Sequence, residues 1–180
     1  LRVGHPETPN VHMGSLINQK HLESVHRYVE LAKSEGGTVV TGGEAITEGE
    51  FAKGSFYKPT IITGIKNSAQ TCQEEIFGPV LVVMSYDNEQ DLIEQANDSC
   101  FGLAAGIWTE NYRKAWKIAR TLEVGTVWIN TYKKFSISAP FGGFKDSGIG
   151  RKKGRQGILS YMQQKSIYLG LNEQANPWAD

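Results

Sequence analysis

Apolar residues recur at Leu22, Val25, Val29 and Ala32, in steps of three and four that place them on one face of a helix. Asn18 stands ahead of them as a cap and Gly36-Gly37 closes the stretch, so the pattern predicts a helix between these two signals. The period then changes. Thr38-Val39-Val40 predicts a short strand closed by Gly42-Gly43, and the polar stretch from Glu44 to Lys53 predicts a loop. Tyr57-Lys58-Pro59-Thr60-Ile61-Ile62 predicts another strand, whose proline places it at a sheet edge or at the strand start. From Val80 a continuous apolar run to Tyr86 predicts a buried strand, and Asn88 caps a helix with Leu92, Ile93 and Ala96 turned inward. Leu103 to Thr109 predicts a strand, and Tyr112 to Leu122 a helix burying Ala115, Ile118 and Ala119, with Trp116 a further candidate. Gly125 to Asn130 completes the run as a third strand.

Strand, helix, strand, helix, strand with short joints is the signature of an α/β fold with a parallel, doubly wound sheet. Ligands of such sheets gather beyond the carboxyl ends of the strands, which points here to Asn130 and the loop Thr131 to Ala139. Next comes Pro140 to Arg151, so rich in glycine and proline that no regular element is expected there, only backbone running close to something else. It lacks the Lys-Ser/Thr ending of a phosphate loop and the glycine spacing of the dinucleotide fingerprint, so a phosphate cradle does not follow. A helix is expected from about Gly154 to Gln164, then an apolar strand, Ser166 to Leu171, without an obvious partner in the chain. Left unpaired, that strand is an edge open to another subunit. The opening Leu1 to Pro9 reads as an extended loop arriving from something upstream, and Leu1 is not an initiator methionine.

The chain has 180 residues, enough for one domain with a real core or for part of a larger one. Its 19 Lys and Arg balance 19 Asp and Glu, which argues against general binding to nucleic acid or an anionic membrane. The densest basic patch, Lys145 with Arg151-Lys152-Lys153 and Arg155, reads as a solvated loop and helix start. No run of about 18 apolar residues is present to span a membrane. Cys72 and Cys100 are only two, which suits a reducing, cytoplasmic chain without a disulfide framework. His21 and His26 lie five apart on their predicted helix where a zinc pair needs four, so no metal site is expected.

The densest candidate chemistry is Glu74-Glu75-Ile76-Phe77-Gly78-Pro79-Val80. A carboxylate beside an aromatic ring at a Gly-Pro corner fits a sugar hydroxyl and a flat heterocycle, with Gly78 allowing close approach or a positive φ. Taken alone, the same residues fit a surface Glu pair and a core Phe entering a sheet better than a ligand corner.

Taken together, Glu75-Ile76-Phe77-Gly78-Pro79, Gly102-Leu103-Ala104-Ala105, Gly125-Thr126-Val127-Trp128-Ile129-Asn130, Pro140-Phe141-Gly142-Gly143-Phe144-Lys145-Asp146-Ser147-Gly148 and Gly150-Arg151 resemble, in order and spacing, the NAD(P)-dependent aldehyde dehydrogenase superfamily. Met13-Gly14 ahead of the first helix fits as well, and the likeness covers essentially the whole chain. It implies that residues 1–164 are the C-terminal part of the catalytic domain and 165–180 a terminal oligomerisation strand and tail. The family's nucleophilic cysteine, general-base glutamate and oxyanion-hole asparagine belong to segments before Leu1, as does nearly all of the cofactor domain. No catalytic residue is therefore expected within these 180, and the chain by itself is expected to be inactive. Neither Cys72 nor Cys100 sits in the family's Gly-Gln-x-Cys context, and both read as structural.

The resemblance further implies an NAD or NADP cofactor, a small aldehyde substrate and a homo-oligomer, dimer or tetramer, assembled through the last strand. Glu75 matches the carboxylate that holds the nicotinamide-side ribose, and Phe77 and Leu103 match apolar contacts beside the nicotinamide. Phe135 and Phe141 match aromatic positions that wall the aldehyde tunnel, although core packing fits Phe141 as well. Two residues depart from the family pattern: Lys152 and Gln163 stand where glutamates are common. A different class of reading is a non-catalytic truncated homologue kept as an assembly module; an authentic start near Leu1 is what would distinguish it.

Overall fold

A computed structural model of the chain describes residues 1–171, which form two compact units, Leu1–Cys100 and the part of the chain from Phe101 on. Residues 172–180, and with them the end of the expected tail, lie outside the described residues.

The first unit is built on helix α1, Gln19–Ser34, and the side chain of Asn18 accepts from the His21 backbone N–H at its start. Leu22, Val25, Val29 and Ala32 are the residues it buries, as the spacing predicts. They pack in two clusters, Leu22, Val25 and Val29 around Tyr57, and Ala32 with Ile62 and Ile65. Each such aliphatic side chain contributes about 1.5–3 kcal/mol by leaving water. Strands β1, Thr38–Thr41, β2, Thr60–Thr63, and β3, Val80–Val83, form one sheet in that order. β1 runs antiparallel to β2 and β3 parallel to it, with Thr60 opposite Val80. Pro59 thus precedes the central strand of the sheet, a strand start and not an edge. A single-turn helix α2, Gln70–Gln73, lies on the β2–β3 crossover; so short an element carries no periodic signal. The Glu35 carboxylate accepts from the backbone N–H groups of Gln70 and Thr71 at its start. A further bond from the Thr71 hydroxyl, first among the causes, holds the Glu35 carboxyl below its ordinary value.

Two expectations for this unit need correction. β3 was expected buried, yet Leu81 and Val83 are exposed, because they alternate with Val80 and Val82, which face the core clusters. In helix α3, Glu89–Asn97, Ile93 is buried and Leu92 half-buried, but Ala96 faces outward.

The second unit carries β4, Phe101–Gly102, β5, Ala104–Ile107, helix α4, Tyr112–Thr121, and β6, Thr126–Ile129. β5 and β6 pair in parallel across α4, the expected strand–helix–strand unit. α4 buries Ala115 and Ile118; Ala119 is half-buried and Trp116 stays in solvent. The glycine-rich segment does contain a regular element, contrary to expectation. Phe144–Lys145 forms β7 and pairs antiparallel with β4. Helix α5, Gly154–Leu159, stops five residues short of Gln164, because its chain tightens into i to i+3 bonds at Tyr161 and Met162. Ser166 to Leu171 makes no strand pairing among the described residues, and Ile167, Tyr168, Leu169 and Leu171 are exposed.

Candidate active site

In the first unit the candidate residues Glu75 and Phe77 stand on the corner that leads into β3. Helix α1 grips that corner with one face. His21, Val25 and Tyr28 are spaced four and three apart, so they line up along the helix. The Tyr28 hydroxyl donates to Glu74 Oε2 at 2.6 Å, and Gln70 donates to Glu74 Oε1 at 2.9 Å. The bond to the Glu74 carboxylate is the first cause that holds the Tyr28 phenol above its ordinary value. Val25 fills the space over Gly78, where a Cβ would approach Val25 Cγ2 to 2.5 Å. His21 Nε2 lies 2.8 Å from the Phe77 carbonyl oxygen, which only accepts, so this nitrogen carries the proton.

These contacts sort the two carboxylates. Glu74 is consumed by α1 and α2, whereas Glu75 is exposed and has no partner among the described residues. They also correct the reading of Gly78: its missing side chain makes room for Val25, and the positive φ falls on Phe77 at 55°. Phe77 is 74% exposed, so it is not a core residue entering the sheet. His21, given no site role by the sequence reading, belongs to this corner, and its four-residue register with Val25 was the available signal. His26 is a packing residue instead, with Nδ1 2.9 Å from the Tyr57 hydroxyl.

Cys72 is half-buried beside the Ala32–Ile62 cluster, and burial pushes its thiol up, with Glu35 adding to the effect. A thiol held in the neutral form is a poor nucleophile, in keeping with a structural role. Cys100 is exposed.

In the second unit Phe135 and Phe141 meet edge to face, ring centroids 5.2 Å apart at 87°. The contact extends further than the sequence suggested. Phe135 packs on Trp128 at 5.3 Å, Trp128 on Tyr132 at 5.0 Å, and Tyr132 on Trp108 at 6.2 Å. Trp128 is buried at the end of β6 and its indole N–H donates to the Lys134 carbonyl, which ties the 131–139 loop to the sheet. Loop residues separated by three, Tyr132 and Phe135, and the Trp of the β6 strand were the sequence signal for this row. Asn130, expected near a ligand, is instead spent on structure: its amide both accepts from and donates to the Thr109 backbone at 2.9 Å. Leu103 is exposed, directly after buried Gly102.

The glycine-rich segment folds back on itself. Phe141 and Lys152 exchange two backbone hydrogen bonds, 2.8 and 2.7 Å, and Arg151 Nη1 donates to the Gly143 and Gly150 carbonyls. Beside it lies an open hollow of about 1490 Å³ lined in part by Leu103, Phe141 and the basic side chains of Arg151, Lys152, Lys153 and Arg155. Lys153 lies over the Phe135 ring with its ammonium 4.1 Å from the centroid.

Each unit pairs strands in parallel within a mixed α/β arrangement, the fold class of an aldehyde-dehydrogenase-like catalytic domain, and the chain belongs to the aldehyde dehydrogenase family, whose pattern matches residues 1–167. Among curated proteins it is 40% identical over 178 residues to betaine aldehyde dehydrogenases from two strains of Cereibacter sphaeroides. Among solved structures it is similar to betaine aldehyde dehydrogenase from Staphylococcus aureus in complex with NAD+, at 37% identity and a TM-score of 0.95. The match covers 99% of this chain and 36% of the length of each of these proteins, so the chain spans about a third of its relatives.

Proposed function

We propose that these residues work within a longer enzyme that oxidises an aldehyde to its carboxylic acid with NAD(P), as its cofactor corner and part of its substrate wall. The observation that carries this reading is the corner itself: α1 takes up Glu74 and fixes the Phe77 carbonyl, leaving Glu75 and the Phe77 ring presented to solvent. A carboxylate with unused acceptors beside an exposed flat ring fits a ribose diol next to a nicotinamide. The bound dinucleotide would supply the hydride acceptor, and NAD is the form held by the Staphylococcus aureus relative.

In this reading the Glu75 carboxylate accepts from the ribose hydroxyls and sets where the nicotinamide ring lies. Phe77 supplies apolar surface that keeps water from that ring, and exposed Leu103, in the second unit, is the other apolar position the family resemblance assigns to the nicotinamide. Phe135 and Phe141 form one side of the aldehyde's approach, their edge-to-face contact holding each ring in place. Oxidation proceeds in the family through a cysteine thioester, and its cysteine and glutamate are supplied by segments outside these 180 residues. The isolated chain is accordingly inactive, since groups that act as a unit lose nearly all activity when one is removed. Ser166 to Leu171, apolar and exposed, is the segment through which copies of the enzyme associate.

The test compares the isolated 180 residues with the longer reading frame that contains them, following NADH formation with a short aliphatic aldehyde. Activity in the longer protein and none in the short one is the expected result. Activity in the isolated chain overturns the assignment of the chemistry to other segments, and a reading frame that begins at Leu1 with no activity favours the assembly-module reading.

A further inference from the structure

The Lys153 ammonium over Phe135 is not the resting place of a loose surface lysine. Its two neighbours are pinned by backbone bonds, Lys152 to Phe141 in both directions and Gly154 N–H to the Ile137 carbonyl at 2.9 Å. Lys153 itself takes a φ of 61°, a conformation that costs a side-chain-bearing residue about 1–3 kcal/mol and persists only when its surroundings enforce it. The backbone therefore aims this side chain at Phe135, 4.1 Å from the ring centroid. Aromatic faces are the surface that recognises quaternary ammonium groups, through the negative quadrupole of the ring. Here that face already carries a cation. The hollow alongside adds Arg151, Lys152 and Arg155, and no carboxylate lines it among the described residues.

We infer that Lys153 sets the charge preference for the aldehyde, making the Phe135–Phe141 wall select substrates whose tail ends in a carboxylate and reject those ending in a quaternary ammonium. This rests on the proposal above that Phe135 and Phe141 wall the aldehyde's path. The resident ammonium occupies the π-face that a cationic tail would need and repels that tail at short range, and the same charge attracts a carboxylate. It also separates this chain from what the names of its relatives suggest, since those enzymes are named for a trimethylammonium aldehyde.

The experiment measures kcat/KM of the full-length enzyme on three aldehydes: trimethylammonioacetaldehyde, its neutral isostere 3,3-dimethylbutanal, and 4-oxobutanoate. The expected order is carboxylate first, neutral second, quaternary ammonium last. Lys153→Leu is expected to raise the ammonium-to-neutral ratio about tenfold, and Lys153→Arg to keep the original order. Because the neutral aldehyde reports overall integrity, a general loss of folding moves all three rates and leaves the ratios in place. A quaternary ammonium preferred over its isostere, or ratios unchanged in Lys153→Leu, overturns the inference while the dehydrogenase reading stands. No oxidation of any of the three overturns the dehydrogenase reading itself.

Discussion

Replacing Phe77 by glycine separates what this residue does for the fold from what it does for the cofactor. Phe77 has φ 55° and is 74% exposed. The left-handed conformation costs a residue with a Cβ about 1–2 kcal/mol, which glycine recovers. Against that, about a quarter of a ring of roughly 200 Å² is covered, so its loss costs about 1.3 kcal/mol. The greater freedom of glycine in the unfolded chain costs about 0.5–1 kcal/mol more. These terms nearly cancel, and Phe77→Gly is expected to change stability by no more than about 1 kcal/mol. The control is Phe56→Gly, at a ring only 3% exposed, where about 3–5 kcal/mol is lost. Urea unfolding of the longer enzyme reads both, and quenching of intrinsic fluorescence on titration with NAD reads the cofactor. NAD is expected to bind about five- to tenfold more weakly to Phe77→Gly, the magnitude of one lost aromatic contact. A stability loss above about 3 kcal/mol would show that the ring is a core element after all. Unchanged NAD affinity would show that the corner is not a cofactor surface.

His21→Leu removes the 2.8 Å bond to the Phe77 carbonyl, worth about 1 kcal/mol, and is expected to weaken NAD binding about fivefold by calorimetry; an unchanged affinity refutes its role in holding the corner. Tyr57 is fully buried, and burial pushes its phenol up to about 12 from an ordinary 10.0. The folded chain therefore keeps this proton longer than the unfolded one, so its share of stability is intact below pH 10.0 and falls away as pH rises toward about 12, by about 1–3 kcal/mol in all. Tyr57→Phe is expected to flatten that alkaline limb while costing about 1 kcal/mol at pH 7 through the lost bond to His26, and parallel alkaline curves for the two proteins would refute the argument. Gly125→Ala would drive a Cβ into the Gly142 carbonyl, so it is expected to cost about 1–3 kcal/mol and to displace Phe141, read as reduced kcat/KM for neutral aldehydes; a fully active, equally stable variant refutes that close approach.

Periodic and capped elements were legible because a single physical signal specifies each. Asn18 and Asn88 cap α1 and α3 as the sequence implied, and the α1 core face is the predicted one. Elements that depend on a distant partner were not legible. The pairing of Phe144–Lys145 with Phe101–Gly102 joins chain segments more than forty residues apart, and two-residue strands carry no period. The short α2 helix leans on Glu35, a side chain from the end of another helix. Exposure along β3 and at Ala96 depends on which sheet face and which helix face are covered, matters settled by packing. At the candidate site, motif order singled out Glu75, Phe77, Phe135 and Phe141 as candidates, but not the reason Glu75 and not Glu74 is available. That reason is the contact of Tyr28 and Gln70 with Glu74.

The backbone itself marks two of the positions assigned to ligands. Asparagine and glycine adopt positive φ at little cost, so Asn10 and Asn130 in that region need no special account. Phenylalanine and lysine do pay for it: Lys133 and Lys145 are in that region, and so are Phe77 and Lys153, at 55° and 61°. Each is held by bonds that leave its side chain free to point outward: the Phe77 carbonyl by His21, and Lys153 by the paired backbone of Lys152 and Gly154. A core would gain nothing from fixing an exposed ring or an exposed ammonium in a strained conformation. A surface that must present a ring or a charge in one place does gain, because the geometry is set before the ligand arrives. That logic supports the cofactor role proposed for the corner and the part proposed for Lys153 in reading the aldehyde's tail.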